Sequence, residues 1–157
     1  MEHTVRALKK DETGILEDLL YAAIFLPEGV EPPPRDIINA PELQVYIKDF
    51  GEQPDDYCLV AETGGRIIGG VWVRIMDDYG HVDDRTPSLA IAVFDGYRGR
   101  GIGTELMKEM ICLLRSEGYR QLSLSVQKEN PACRLYERLG FRTVAETGEE
   151  YIMVCSL

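Results

Sequence analysis

The segment from Leu89 to Ser116 constrains this chain more than any other. It opens with Leu89-Ala90-Ile91-Ala92-Val93, an apolar run without alternation. It continues through a turn that carries Gly96, Gly99, Gly101 and Gly103, and ends in a stretch where Ile102, Leu106, Met110 and Leu113 recur at helical steps. An unalternating run of this length predicts a central strand buried on both faces. The stretch from Gly101 to Ser116 predicts an amphipathic helix, with Glu105, Lys108, Glu109 and Arg115 on its other faces. Gln121 to Val126 then alternates as a strand. A strand, a helix and a second strand in that order make a crossover unit, so the sheet contains parallel pairing near residues 89 to 126.

The rest of the chain adds strands in hairpin order. Thr4 to Ala7 and Leu8 alternate as a first strand, and Asp11 to Ala23 carries Ile15, Leu19 and Leu20 at helical spacing. Pro27 to Pro41 is rich in Pro and Gly and reads as a loop or broken lid. Glu42 to Phe50 places Leu43, Tyr46 and Ile47 on one face of a short second helix. Tyr57 to Ala61 and Ile67 to Ile75 flank a Glu62-Thr63-Gly64-Gly65-Arg66 turn and predict an antiparallel hairpin. The paired Gly69-Gly70 inside it signals a bulge or a close backbone approach. Asn130 to Leu139 predicts a helix ended by Gly140, and two strands flank Glu146-Thr147-Gly148-Glu149. The predicted fold is α/β (α+β): a mixed, mostly antiparallel central sheet of about seven strands with flanking helices, in one domain over 1–157.

Composition excludes several classes. With 17 basic against 27 acidic side chains the net charge is -10, which opposes binding to nucleic acid. The four cysteines, Cys58, Cys112, Cys133 and Cys155, form no C-x-x-C pair, and His3 and His81 stand apart. No metal site is therefore expected, and reduced cysteines point to a cytoplasmic protein. Glu2, His3 and Arg6 replace an apolar export segment, and no run reaches membrane-span length, so no membrane partner is expected.

Glycines at the start of a helix leave backbone N–H groups uncovered where the helix dipole favours an anion, a phosphate above all. A nucleotide P-loop requires Lys-Ser or Lys-Thr after its glycines, which this loop lacks. The dinucleotide pattern G-x-G-x-x-G requires a glycine where Leu106 stands. On these residues alone a glycine-rich turn without a ligand stays open. The remaining pattern is R-x-x-G-x-G, Arg98-Gly99-Arg100-Gly101-Ile102-Gly103. With its preceding strand it resembles the acyl-CoA pyrophosphate loop of the GNAT acetyltransferase superfamily. Asn130-Pro131-Ala132-Cys133-Arg134-Leu135-Tyr136-Glu137-Arg138-Leu139-Gly140-Phe141 is similar to that family's second block, in which an Asn, a Tyr and a terminal Gly-Phe recur.

The resemblance covers about residues 88 to 145 and implies an acyl-CoA N-acyltransferase fold with acetyl-CoA as co-substrate. It implies that the backbone of Ile91 and Val93 pairs with the pantetheine arm. Arg98, Gly99, Arg100, Gly101, Ile102, Gly103 and Thr104 then hold the pyrophosphate, with Asn130 further along. The arginines point either toward the phosphates or out to water. The implied reaction is direct attack of an amine of a small molecule or peptide on the thioester, with Tyr136 in the position of the family's general acid. A lysine-like amine is neutral only about four times in ten thousand at pH 7, so a base or a water chain is needed. Many relatives carry a glutamate at the start of the central strand, where this chain has Ser88. The nearest carboxylates are Asp83 and Asp84, followed by His81, Asp77 and Asp78. Cys133 has no histidine near it in sequence and is not needed as a nucleophile. The acceptor site is expected between Pro27–Phe50, the hairpin and the 77–87 loop, with Glu28, Glu31, Asp36, Tyr46 and Tyr79 in those walls. The alternative is a non-catalytic acyl-CoA sensor with the same fold. Strand Tyr151 to Cys155 is available for pairing across a homodimer.

Overall fold

A computed structural model describes residues 2–157 of the chain. In order along the sequence lie β1 (Thr4–Ala7), α1 (Ile15–Ala23), α2 (Pro41–Gln44), β2 (Tyr57–Thr63), β3 (Arg66–Arg74), β4 (Ser88–Val93), α3 (Ile102–Ser116), β5 (Gln121–Gln127), α4 (Ala132–Arg138), β6 (Phe141–Glu146) and β7 (Glu150–Ser156). The strands form one seven-stranded sheet in the order β1-β2-β3-β4-β5-β7-β6. Only the β4–β5 pair is parallel; the other five are antiparallel. Both the expected strand number and the expected parallel step are present.

The sheet separates two apolar layers. On one face Ile68, Val71, Val73, Leu122 and Leu124 pack with Ile102, Leu106, Met107, Met110 and Leu114 of α3. These are the i, i+4, i+5, i+8 and i+12 positions expected of an amphipathic helix lying on a sheet. On the other face Val60, Trp72 and Ala92 meet Leu16, Leu19 and Leu20 of α1, with Ile38 and Tyr46 from the connection that follows. Strand β3, buried on both faces, belongs to both layers. Its paired glycines serve both predicted purposes. Glu62 faces Ile67 while Ala61 faces Gly69, so Ile68 bulges out of the β2–β3 ladder. A Cβ on Gly69 would stand 2.9 Å from the Ala92 carbonyl oxygen, which lets β4 come close at this point.

The second helix is shorter than its apolar spacing predicts. Regular α-helix stops at Gln44, and Asp49 has a positive φ of 53°. The carbonyls that would continue the helix are taken by buried side chains of β3. Trp72 Nε1 donates to the Tyr46 carbonyl at 3.0 Å, and the Arg74 guanidinium donates to the carbonyls of Val45 and Lys48 at 3.1 and 2.8 Å. Tertiary hydrogen bonds here outweigh local propensity. The expected pairing of the last strand across a dimer is corrected as well. β7 lies between β5 and β6, so both of its edges are used, and β1 and β6 are the edge strands. Among the described residues no helix is long and apolar enough to cross a membrane.

Arg74 also forms a two-pronged pair with Asp56 at 3.1 and 3.0 Å and lies over the Phe50 ring at 5.2 Å. Both charges are buried, with side-chain exposures of 8% and 0%. Removing one partner of a buried pair leaves the other charge uncompensated, at a cost of about 3 kcal/mol or more. Asp56→Ala is therefore expected to lower unfolding free energy in urea by about 3 kcal/mol, and a loss under about 1 kcal/mol would contradict this account of the junction.

Candidate active site

The site is a fork between two strands. The β4–β5 register joins only Ser88 to Ser123, and beyond that pair the strands diverge. β4 stays on β3 throughout, from Arg74↔Ser88 to Gly69↔Val93. The Phe94 N–H donates to the Ile68 carbonyl at 2.9 Å. Hydrogen-bonded residues alternate along an antiparallel pair, so Ala92 and Ala90 turn their backbone groups to β3, while Val93, Ile91 and Leu89 turn theirs into the fork. A cleft of about 240 Å³ fills the opening, with Leu89, Ala90 and Ile91 on one wall and Leu124 to Gln127 on the other. Of the two residues whose backbone is expected to pair with a pantetheine arm, Ile91 lines the cleft and Val93 does not. One group is already engaged: Arg98 Nε donates to the Val93 carbonyl at 2.8 Å.

Below β4 the chain turns through Gly96, Gly99 and Gly101, whose φ values of 90°, 77° and 81° lie where side chains are strained. Gly101 caps α3 with no side-chain partner. Among the described residues the N–H groups of Gly99, Gly101, Ile102, Gly103 and Thr104 meet no acceptor. A Cβ on Gly99 or Gly101 would touch nothing, and one on Gly103 would reach only Val93 Cγ2, at 3.8 Å. The glycines therefore leave an open cradle of amide donors at the N-terminus of a fifteen-residue helix. That arrangement fits a pyrophosphate. The arginines contribute differently from a simple clamp. Arg98 is tied to Val93 and sits 3.3 Å from Asp95, while Arg100 lies over the Tyr97 ring at 5.9 Å.

Tyr136 and Asn130 line the cleft. Tyr136 is buried against Phe141, and burial first, then the neighbouring Cys133, pushes its phenol up to about 12. The hydroxyl is a proton donor at any ordinary pH. Asn130 lies two residues ahead of α4, its side-chain oxygen accepting the Ala132 N–H at 2.9 Å. Cys133 directs its thiol to the Gln127 carbonyl at 3.5 Å, and burial raises its pKa, so it is held as a neutral thiol.

The carboxylates are arranged otherwise than the sequence suggests. Asp83 accepts the Arg85 N–H at 2.8 Å, which lowers its pKa, and Asp84 is 98% exposed beside His81 at 3.6 Å. Neither lines the cleft. One other carboxylate lines it, and a second is held at the vertex of the fork. Glu150 faces Gln127 across the β5–β7 ladder and lines the cleft, with its pKa raised by burial and then by Glu149. Asp78 accepts the Ser88 hydroxyl at 2.8 Å, and burial raises its pKa against the opposing pull of Ser88 and Tyr46. A carboxylate from the β3–β4 loop thus reaches Ser88 at the start of β4. Tyr46 also lines the cleft. Burial and the Asp78 charge raise its pKa, while Ser125 acts in the opposite direction. Sequence reasoning missed Glu150; the signal lay in its pairing with Gln127, which puts both side chains on one face.

The chain is similar to known acetyltransferases. The family model of the Acetyltransferase (GNAT) family matches residues 23–141. A mycothiol acetyltransferase of Corynebacterium glutamicum (strain R) is 35% identical over 98 residues, which are 62% of this chain and 32% of that protein. The chain therefore spans about a third of the mycothiol acetyltransferase's length. An acetyltransferase of Pectobacterium atrosepticum is 34% identical over 108 residues, covering 68% of this chain and 70% of its own. The crystal structure of a PaiA N-acetyltransferase from Thermoplasma acidophilum in complex with coenzyme A has the same fold, with a TM-score of 0.72 at 19% identity and full coverage of both chains. With three-quarters of its length under the family model, the chain belongs to the GNAT acetyltransferase family.

Proposed function

We propose that the protein transfers an acetyl group from acetyl-CoA to a primary amine of a small molecule or peptide. The observation that carries this reading is the fork itself, with an amide cradle at one end, strand backbone along one wall and a buried phenol inside. Loop 98–104 would hold the pyrophosphate through backbone donors, and Ile91 would offer its N–H and carbonyl to the pantetheine amides. Acetyl-CoA supplies an acyl group activated as a thioester. Tyr136 would deliver a proton to sulfur as the carbon–sulfur bond breaks, which avoids expelling a bare thiolate. The acceptor would enter from the wall formed by Tyr46, Tyr79 and Glu150. Glu150 there favours an amine arriving as a cation, in line with the net charge of -10.

Calorimetry with acetyl-CoA, followed by thiol release across a panel of primary amines, tests the reading. Binding and amine-dependent release are expected; binding with no release across the panel would favour a sensor. Tyr136→Phe is expected to lower kcat about a hundredfold with acetyl-CoA affinity within twofold, since proton transfer by a positioned acid contributes at least that much. Because the phenol titrates only near 12, wild-type release should not fall with a midpoint near the ordinary tyrosine value of about 10. A fall centred there would remove Tyr136 from the role. Cys133→Ala is expected to keep most turnover, and a loss beyond about a hundredfold at unchanged acetyl-CoA affinity would make the thiol a nucleophile after all.

Gly103→Ala separates the cradle from the fold. Its methyl group meets nothing closer than 3.8 Å in the protein and improves helix propensity by up to about 1 kcal/mol, so stability should hold or rise. Acetyl-CoA affinity should drop at least about fivefold, because the methyl stands over the amide donors. Unchanged affinity would place the pyrophosphate elsewhere.

A further inference from the structure

The cleft in the fork carries charge of one sign. Among the described residues that line it Glu150 is the one carboxylate, and no lysine, arginine or histidine stands in its walls. Glu150 opens β7 opposite Gln127, four residues along β5 from Ser123, and so lies at the wide end of the fork. It is half-buried, and among the described residues no hydrogen bond or ion pair ends on its carboxylate. Lys128, the residue after Gln127, is engaged elsewhere: it pairs with Glu146 at 3.1 Å and lies over the Tyr151 ring at 5.3 Å. A carboxylate that loses water without gaining a counter-charge is disfavoured, and a cation delivered by a ligand relieves it. The walls around it are otherwise apolar or aromatic. Leu20 and Ala23 come from α1, Phe25 from the turn after it and Leu43 from α2, with Tyr46 and the half-exposed Tyr79 beside them.

We propose that Glu150 is a specificity residue for acceptors with two amines: it holds one as an ammonium while the other is acetylated, which makes short alkyl diamines the substrate class. The proposal deepens the acetyl-transfer reading above and rests on it. A carboxylate close to an ammonium favours its charged form, so a nitrogen paired with Glu150 keeps its proton and has no lone pair to attack with. The attacking nitrogen is therefore a different one. The ammonium held at Glu150 also lowers the proton affinity of the other nitrogen, as like charges do, and so raises its neutral fraction. Between the two nitrogens a methylene chain suits the wall of Leu20, Ala23 and Leu43, and the tyrosine rings attract a cation through their faces. The same walls reject other amines. A free amino acid brings a carboxylate that meets Glu150 and finds no basic side chain among the described lining residues, and a polyhydroxylated amine sets hydroxyls against apolar side chains. In the transfer the neutral nitrogen forms the bond to the acetyl carbon as the carbon–sulfur bond breaks; the nitrogen gives up one proton and the sulfur gains one. The products are coenzyme A as its thiol and a diamine with one amide and one ammonium. With a single cation left, that product cannot both occupy Glu150 and present a second nucleophile, so transfer stops at one acetyl group.

The test follows thiol release by the full chain with acetyl-CoA and three acceptors that share a four-carbon chain: α,ω-diaminobutane, butylamine and γ-aminobutyrate. The diamine is expected to exceed butylamine in kcat/KM by at least about tenfold, mostly through KM, with γ-aminobutyrate below both, because a charged partner in the site is satisfied by the first alone. Glu150→Gln should lower kcat/KM for the diamine about tenfold more than for butylamine, and Glu150→Asp should recover part of the difference. Mass spectrometry of the product should show one acetyl group per diamine. Should the variants fail to fold, the wild-type comparison among the three acceptors decides. Butylamine or γ-aminobutyrate within about threefold of the diamine, or a Glu150→Gln variant that lowers diamine and monoamine alike, would overturn the role of Glu150 and leave the acetyl-transfer reading intact. A wild type that binds acetyl-CoA but acetylates no amine would sink that reading and the selectivity together.

Discussion

One parallel contact, Ser88 to Ser123, sets the geometry of everything functional in this fold. Above it β4 and β5 pair at no other position, while β4 stays paired with β3 along its length. The vertex is pinned by polar contacts that the core would otherwise penalise. The Ser123 N–H donates to the Pro87 carbonyl at 3.0 Å, and the two serine hydroxyls meet each other with no exposure to water. Buried hydroxyls are tolerated only when they are satisfied, so this cluster fixes the angle of the fork as well as its position. Opening two strands normally exposes unpaired backbone at a cost. Here Ile91 and its neighbours line the cleft instead.

Electrostatics divide the cleft along its length. In the proposed reading a chain of net charge -10 would hold a polyanionic co-substrate through backbone donors and a helix terminus, whose local field does not depend on the net charge. The two arginines in the loop are engaged in shaping it: Arg98 closes the end of β4 through the Val93 carbonyl, and Arg100 stacks on Tyr97. At the opposite end burial raises the pKa values of Asp78, Glu150 and Tyr46, and Tyr136 in the cleft is raised for the same reason. Phenols and carboxylates on the same fork thus have their proton affinities shifted in one direction by a common cause, burial.

The parts of this architecture that depend on local pattern were legible in the sequence. The unalternating run at 89–93, the amphipathic α3 and the glycine turn forecast the parallel step, and Gly69-Gly70 forecast the bulge and close approach found there. Features set by distant residues were hidden. The second helix ends early because Trp72 and Arg74, more than twenty residues away, take its carbonyls. Asp83 and Asp84 are nearest to the strand in sequence, yet the loop turns them to solvent and brings Asp78 to Ser88 instead. Glu150 comes from a strand whose neighbour is fixed only by the sheet order, and the same order removes β7 from any edge.

The central claim is that acetyl-CoA lies in the fork with its pyrophosphate on the amides of the glycine loop. Titrating isotopically labelled protein with acetyl-CoA and following backbone amide resonances by NMR tests it most directly. The account predicts the largest shifts at Ile91, Gly101, Ile102 and Gly103, with smaller ones at Ser125 and Asn130. Saturable shifts that leave the glycine loop unmoved, or no shifts at all, would contradict it.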